Sequence, residues 1–256
     1  MTWNAATYLA FGTERTRPAA ELLARVPLAA PAAIADLGCG PGNSTALLRE
    51  RYPEADLVGV DSAPDMIAAA RGSGVRARWQ LADVATWTPE APVDLIFANA
   101  TLHWLDDHPR LFSRLLERLT SGGVLAVQMP RNFQAPSHVL LREVARQGPW
   151  AAQLTPRLRA DPVASPDAYY RWLRPHAARL DVWQTEYLQV LSGADPVLAW
   201  VRGTSLVPLL AALDAPARAA FEAAYAARLR TAYPAEPGGE TLFPFQRVFI
   251  VLEKGA

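Results

Sequence analysis

The order of segments between residues 33 and 129 predicts an α/β fold, an open doubly wound sheet flanked by helices. Three observations predict it. Short apolar runs alternate with helical stretches, the pattern of successive βαβ units. The first run leads into a glycine-rich turn, Gly38-Cys39-Gly40-Pro41-Gly42, with Asn43-Ser44-Thr45 opening a helix behind it. Three acidic residues, Asp36, Asp61 and Asp83, stand at or near the ends of three successive runs, the edge where ligands bind in such sheets.

Each element has its own justification. Near the start, Trp3, Tyr8 and Phe11 form an aromatic run and Arg15 and Arg17 an arginine pair. Pro18 suits the first turn of a helix through Leu22, Leu23 and Val26. The apolar runs predict strands near Ala33–Leu37, Asp56–Asp61, Val75–Leu81, Val93–Asn99 and Gly123–Met129. Helices are predicted near Asn43–Arg51, Pro64–Arg71 and Pro109–Leu119, with Thr120-Ser121-Gly122-Gly123 as a helix-ending turn. Beyond Met129 the alternation stops. Residues 133–180 read as helical but interrupted by proline, Leu180–Leu191 as a strand, Asp195–Tyr233 as two helices and Phe245–Leu252 as a last strand. One domain is expected: a helical lid over 1–30, a ligand-binding core over 31–130, and helical insertions at 131–180 and 195–240.

Composition narrows the function classes. At 256 residues the chain can bury one substantial core. Lys plus Arg and Asp plus Glu balance at 25 each, so no global field favours nucleic acid or a membrane surface. Neither a membrane-length apolar run nor a signal-peptide pattern is present in the sequence. One cysteine and four histidines give neither a disulfide framework nor metal-ligand spacing. These features lead us to expect a cytoplasmic protein acting on a small molecule, without a metal.

The glycine loop lets backbone approach a ligand and presents free N–H groups at a helix start. Two details argue against a dinucleotide. Asn43 stands where the third glycine or alanine of that fingerprint belongs, and Asp36 would repel a pyrophosphate. A carboxylate there suits a cofactor with an ammonium group, as in S-adenosylmethionine, and the segment resembles the first motif of class I methyltransferases. Asp61, roughly 20 residues past the loop, fits the ribose-binding acid of nucleotide sites. Asp65 reads either as a helix-dipole partner or a ligand residue, and Met66 either as core or as an adenine contact. Asp83 either caps its loop or accepts the adenine amino group, with the Val84 N–H donating to the ring. Taken together, residues 30–130 resemble class I methyltransferases. That resemblance implies a Rossmann-like seven-stranded sheet and a cofactor site of Asp36, Gly38, Gly40, Asp61, Ser62, Met66, Asp83, Val84 and Asn99.

The acceptor is addressed by Asn99-Ala100-Thr101-Leu102-His103-Trp104. It lacks the Asn-Pro-Pro-Tyr type of segment common in methyltransferases of bases and glutamine. Leu102-His103-Trp104 instead resembles carboxyl methyltransferases of small acids. The stretches Ala135-Pro136-Ser137-His138, Trp183-Gln184-Thr185-Glu186-Tyr187-Leu188, Trp200-Val201-Arg202-Gly203-Thr204 and Thr241-Leu242-Phe243-Pro244-Phe245 extend the match. So does Trp3-Asn4 with Tyr8-Leu9, Phe11 and Glu14-Arg15-Thr16-Arg17-Pro18-Ala19. Nearly the whole chain is thus similar to the trans-aconitate 2-methyltransferase family. Asn4 and Gln246 depart from it, where an acidic and a basic residue would be common.

The resemblance implies methyl esterification of a small polycarboxylic acid. Trp104 would hold the accepting carboxylate and His103 would donate to substrate or serve structurally. Arg202 and Arg247 would pair with distal carboxylates, with Arg15, Arg17 and Arg131 as further candidates. Tyr8 and Trp3 would close over the cofactor or simply pack. No catalytic base is expected, because a carboxylate is already ionised at neutral pH. The alternatives are another small acid or a hydroxyl acceptor on the same scaffold, a nicotinamide-linked oxidoreductase, and a non-catalytic cofactor-binding protein.

Overall fold

The computed structural model of the chain describes residues 12–255. Among these residues the order begins with α1 (Gly12–Ala24), β1 (Ala33–Leu37), α2 (Asn43–Arg51), β2 (Asp56–Asp61), α3 (Pro64–Gly72), β3 (Arg78–Leu81) and β4 (Val93–Asn99). A 3-10 turn, Leu102–Trp104, then leads to α4 (His108–Glu117) and β5 (Leu119–Pro130). Next come α5 (Pro136–Gln147), α6 (Ala151–Leu154), α7 (Pro166–Leu173) and β6 (Ala177–Leu191). The chain finishes with α8 (Pro196–Arg202), α9 (Val207–Leu210), α10 (Ala215–Ala232) and β7 (Thr241–Lys254). The seven strands form one sheet in the order β3-β2-β1-β4-β5-β7-β6. Strands β3, β2, β1, β4 and β5 run parallel, and β7 pairs antiparallel to β5.

The apolar runs become the central strands because those strands are covered on both faces. Ile34, Leu37, Leu95, Phe97, Val124 and Ala126 are all buried. Asp94 ties the near ends of three strands together. Its Oδ2 accepts from the backbone N–H of Ala32 (2.8 Å) and Ala33 (3.1 Å), and its Oδ1 accepts from Thr120 Oγ1 (3.0 Å). The strand order reverses between β1 and β4, so the ligand crevice opens at their C-terminal ends.

The chain divides into two compact units. The larger holds the described residues up to Pro130 together with Pro162–Thr185 and Arg247 onward; the smaller is Arg131–Asp161 with Glu186–Gln246. Residues 162–180, expected within an insertion, thus cluster with the core segment. In the smaller unit, Trp150 on the α5–α6 connection meets Phe221 of α10 edge-on at 5.2 Å. There Tyr225 also donates its hydroxyl to the Ser137 carbonyl at 2.6 Å.

Several expected boundaries shift for physical reasons. Pro18 lies inside α1 rather than in its first turn. Thr120–Gly123 is part of β5, not a helix-ending turn. A register irregularity between Val93 and Leu95 pairs them with Leu119 and Val124, so the glycines form a bulge and α4 already ends at Glu117. Strand β3 begins at Arg78 instead of Val75. Within 133–180, Pro136 and Pro166 begin helices instead of interrupting them, in first-turn positions where the missing N–H has no helical partner anyway. The Asp195–Tyr233 stretch holds α8, α9 and α10, a helix more than expected, and β7 begins at Thr241 rather than Phe245.

Candidate active site

The glycine loop joins β1 to α2. Gly38 has φ of 70°, donates its N–H to the Val60 carbonyl (2.7 Å), and accepts from Thr101 Oγ1 (3.2 Å). A Cβ at Gly38 would come within 2.0 Å of that hydroxyl oxygen, so no other residue fits. Gly40, with φ of 54°, faces open space instead: nothing lies within 4 Å of where its Cβ would be. This is a cradle that leaves room for a ligand against bare backbone.

Asp36 sits beneath the loop. It is 0% exposed, and its Oδ2 accepts from both Ser44 Oγ and Thr45 Oγ1 at 2.7 Å. Burial raises its carboxyl from the ordinary 3.8 to about 6, against the lowering effect of the two hydroxyls. Rather than lying open to an ammonium group as the sequence suggests, the carboxylate commits Oδ2 to those hydroxyls, so Asp36 pins the first residues of α2 to β1 and shapes the loop from below. Its Oδ1 finds no hydrogen-bond partner among the described residues.

Asp61, at the end of β2, accepts from Gly40 N–H at 3.0 Å through Oδ2 and from Ala63 N–H at 2.9 Å through Oδ1. A carboxylate has about four acceptor positions. Two are used to fix the loop against β2, and the remainder can take a ribose diol. Desolvation raises the Asp61 carboxyl above its usual value, while these backbone donors counter the rise. Ser62 beside it is exposed. Asp83 is exposed after β3 and closes a small turn by accepting the Ala85 N–H at 2.8 Å. Val84 and Met66 are buried, and Leu81 presents an exposed apolar side chain at the same strand end. The exposed Leu81 is thus an apolar side chain two residues before the exposed acceptor Asp83.

At the end of β4, Ala100 adopts φ of 53° and donates its N–H to the Gln128 carbonyl at 2.9 Å. A left-handed alanine is strained, and such strain clusters at functional sites. The Asn99 side chain lines a small cavity with Thr16, Gly38, Gly40 and Ser44, and its Oδ1 is buried with no hydrogen-bond partner among the described residues. His103 and Trp104 follow on the 3-10 turn, both half-buried, with ring centroids 4.9 Å apart.

That turn is anchored by a residue the sequence reading passed over. His108 is buried, and its Nε2 lies 3.1 Å from the carbonyl oxygens of both Leu102 and Leu105. Nε2 must therefore carry a hydrogen, and Nδ1 takes the Tyr169 hydroxyl at 2.5 Å. The Tyr169 oxygen also accepts the Ala164 N–H at 3.3 Å. The histidine stands directly before Pro109 in the first turn of α4, where a sequence shows only a helix start.

The candidate arginines separate clearly. Arg247 is 3% exposed, and its Nη1 donates to Gln128 Oε1 at 3.3 Å. Arg17 is exposed and paired with Glu21 at 2.8 Å. In the smaller unit, Arg202 is exposed and paired with Glu222 at 2.7 Å. Arg131 lines a cavity of about 560 Å³ there with Phe133, Tyr233 and Leu242, whose walls also carry Asp161, Glu186 and Glu236. His138, in the same unit, lies 3.1 Å from both Ser137 Oγ and Ser205 Oγ; burial pushes its pKa down to about 4, aided by Arg142. Tyr8, Trp3 and the side chain of Arg15 lie outside the described residues.

A glycine cradle on β1, a carboxylate at the end of β2 and a strained turn after β4 define a class I methyltransferase. A methyltransferase-domain family model matches residues 34–123. YcgJ from Bacillus subtilis shares the fold at a TM-score of 0.59 and 14% identity, over 94% of this chain and 99% of that one. Phosphoethanolamine N-methyltransferase 2 of Haemonchus contortus, solved with S-adenosylhomocysteine, does so at 0.55 and 14%, over 93% of this chain and 52% of that one.

Closer relatives identify the family. The trans-aconitate 2-methyltransferase of Azoarcus sp. is 52% identical over 250 residues, 98% of each chain. That of Methylobacterium nodulans is 51% identical over 253 residues, again 98% of each. The chain belongs to the trans-aconitate 2-methyltransferase family.

Proposed function

We propose that the protein transfers the methyl group of S-adenosylmethionine to a carboxylate of a small polycarboxylic acid, with trans-aconitate as the acceptor. One observation carries the choice of acceptor. The similarity to trans-aconitate 2-methyltransferases runs end to end, at 52% identity across 98% of both chains, far beyond the shared cofactor domain. S-adenosylmethionine, when bound, supplies an electrophilic methyl group on a sulfonium.

The protein's residues then have four tasks. Gly38, Gly40 and Asn99 would receive the amino-acid end of the cofactor. The free acceptor positions of Asp61, with Ser62 beside it, would take the ribose hydroxyls. Asp83, the Val84 N–H and the exposed Leu81 side chain would take the adenine, with Met66 packed in the core behind. Trp104, with His103 next to it, would orient the accepting carboxylate, while Arg247 pairs with a distal one. Arg131, Arg15 and Tyr8 are secondary candidates, and Arg202 would first have to leave Glu222.

Orientation is the main catalytic contribution this reading requires. Acceptor carboxyls have pKa values near 4 and arrive ionised, so no proton need be removed. His108 suits that requirement, since both of its ring nitrogens are committed to protein partners. Holding a nucleophile in line with an electrophile can contribute roughly 7–11 kcal/mol by itself. The reading places the enzyme in the cytoplasm, where its cofactor is made. Methyl-labelled S-adenosylmethionine offered with a panel of mono-, di- and tricarboxylic acids and hydroxylated metabolites tests it. Label is expected in a tricarboxylate; label confined to a hydroxyl compound would overturn it.

A further inference from the structure

We infer that Gln128 is a substrate-recognising residue, whose side-chain amide acts with the Arg247 guanidinium to bind a carboxylate of the acceptor that is not being methylated. The inference rests on the polycarboxylate reading above and adds to it a residue that neither the sequence nor the family comparison singled out.

Strand register puts Gln128 in the right place. It pairs with Asn99 of β4 on one side and with Phe249 of β7 on the other. Side chains alternate along strands, so Asn99, Gln128 and Arg247 share one face of the sheet. All three stand where β4 and β5 end and β7 enters the register, the edge that carries the ligand crevice.

The chemistry at that edge is unusual for its surroundings. Val124, Leu125, Ala126, Val127 and Met129 make the inner part of β5 uniformly apolar and buried, and Gln128 among them is 0% exposed. Its Oε1 accepts from Arg247 Nη1 at 3.3 Å. That bond fixes which way the amide faces, because the reverse orientation would bring two donors together. The Nε2 end is thereby aimed away from the guanidinium, and it is buried with no hydrogen-bond partner among the described residues. Buried amide groups nearly always have partners. A donor held beside a buried cation is suited to an anion, and a carboxylate can accept from both groups through its two oxygens.

Gln128→Leu and Gln128→Glu test this against the wild type. The readouts are KM and kcat for trans-aconitate and for a matched monocarboxylate, the Kd for S-adenosylhomocysteine, and thermal stability. For Gln128→Leu the expected result is a KM for trans-aconitate raised at least about tenfold, with a smaller rise for the monocarboxylate, which has no second carboxylate to place. Gln128→Glu should lose more, since it keeps an acceptor for Arg247 but presents a like charge to the substrate. Unchanged KM values in both variants, with the wild type active on trans-aconitate, would overturn the role of Gln128 alone. Equal losses on both acids, or lost stability without a selective rise in KM, would overturn it as well. Such a result would mean that Gln128 only supports the fold at this edge of the sheet. A wild type that binds S-adenosylhomocysteine but methylates no polycarboxylate would overturn the underlying reading, and this inference with it.

Discussion

Replacing His108 by phenylalanine keeps a ring of similar size in place but deletes the imidazole's hydrogen bonds beneath the Trp104 turn. The histidine satisfies the carbonyls of Leu102 and Leu105 and meets the Tyr169 hydroxyl. Each neutral hydrogen bond contributes about 0.5–1.5 kcal/mol, and each buried group left without a partner costs about 1–3 kcal/mol. A total loss of roughly 2–4 kcal/mol follows. For a chain of this size that lowers Tm by roughly 5–15 °C. The functional effect should be separable, because His108 lies under the Trp104 turn, the proposed acceptor side, and not under the glycine loop. kcat/KM for the acid should fall more than tenfold at a temperature where the variant is fully folded, while the S-adenosylhomocysteine affinity stays within about twofold. Tyr169→Phe should lose less, and the double variant should fall short of the summed losses, since both delete one shared bond. Calorimetry of cofactor binding, thermal melts and steady-state kinetics on the same preparations provide the readouts. Additive losses in the double variant, or equal losses in cofactor affinity and turnover, would refute the claim that His108 works by holding the turn.

Asp61→Ala removes the acceptor for Gly40 and Ala63 together with the proposed ribose contact, each charged hydrogen bond being worth roughly 1.5–3 kcal/mol. Cofactor affinity by calorimetry should fall at least about tenfold, and an unchanged Kd would remove Asp61 from the site. Asp36 makes a prediction about pH. Its folded-state pKa, about 6, lies above the ordinary 3.8, so the folded chain holds this proton more tightly. The associated stability is complete below about pH 4 and is lost as pH rises through about 6, amounting to roughly 3 kcal/mol. In Asp36→Asn the urea-unfolding free energy should lose that fall between pH 4 and 6; parallel profiles for variant and wild type would contradict the assignment.

The sequence made the cofactor half of the protein legible because its signals are local. Strands β1, β2 and β4 are apolar runs bounded by turn chemistry, and their bounds were expected as observed. Asp61 announces itself by standing one strand beyond the glycine loop. Asp36 was legible as important but not in its role, because burial under Ser44 and Thr45 depends on how α2 folds back over β1. The glycines at 122 and 123 read as a turn because a bulge in a strand uses the same residue as a helix stop. The acceptor side was harder. Gln128 looks like an ordinary polar interruption of a strand until Arg247, 119 residues later, is seen against it. Arg202 drew attention by its family-like neighbours, yet the structure pairs it with Glu222 on the surface.

The most direct test of the central claim is the identity of the product. The protein is incubated with S-adenosylmethionine and trans-aconitate, and the product is examined by mass spectrometry before and after mild alkaline hydrolysis. The account predicts a monomethyl ester that hydroxide converts back to trans-aconitate with release of methanol. A methyl group that survives alkali, or methyl transfer to hydroxylated metabolites with none to any polycarboxylic acid, would contradict it.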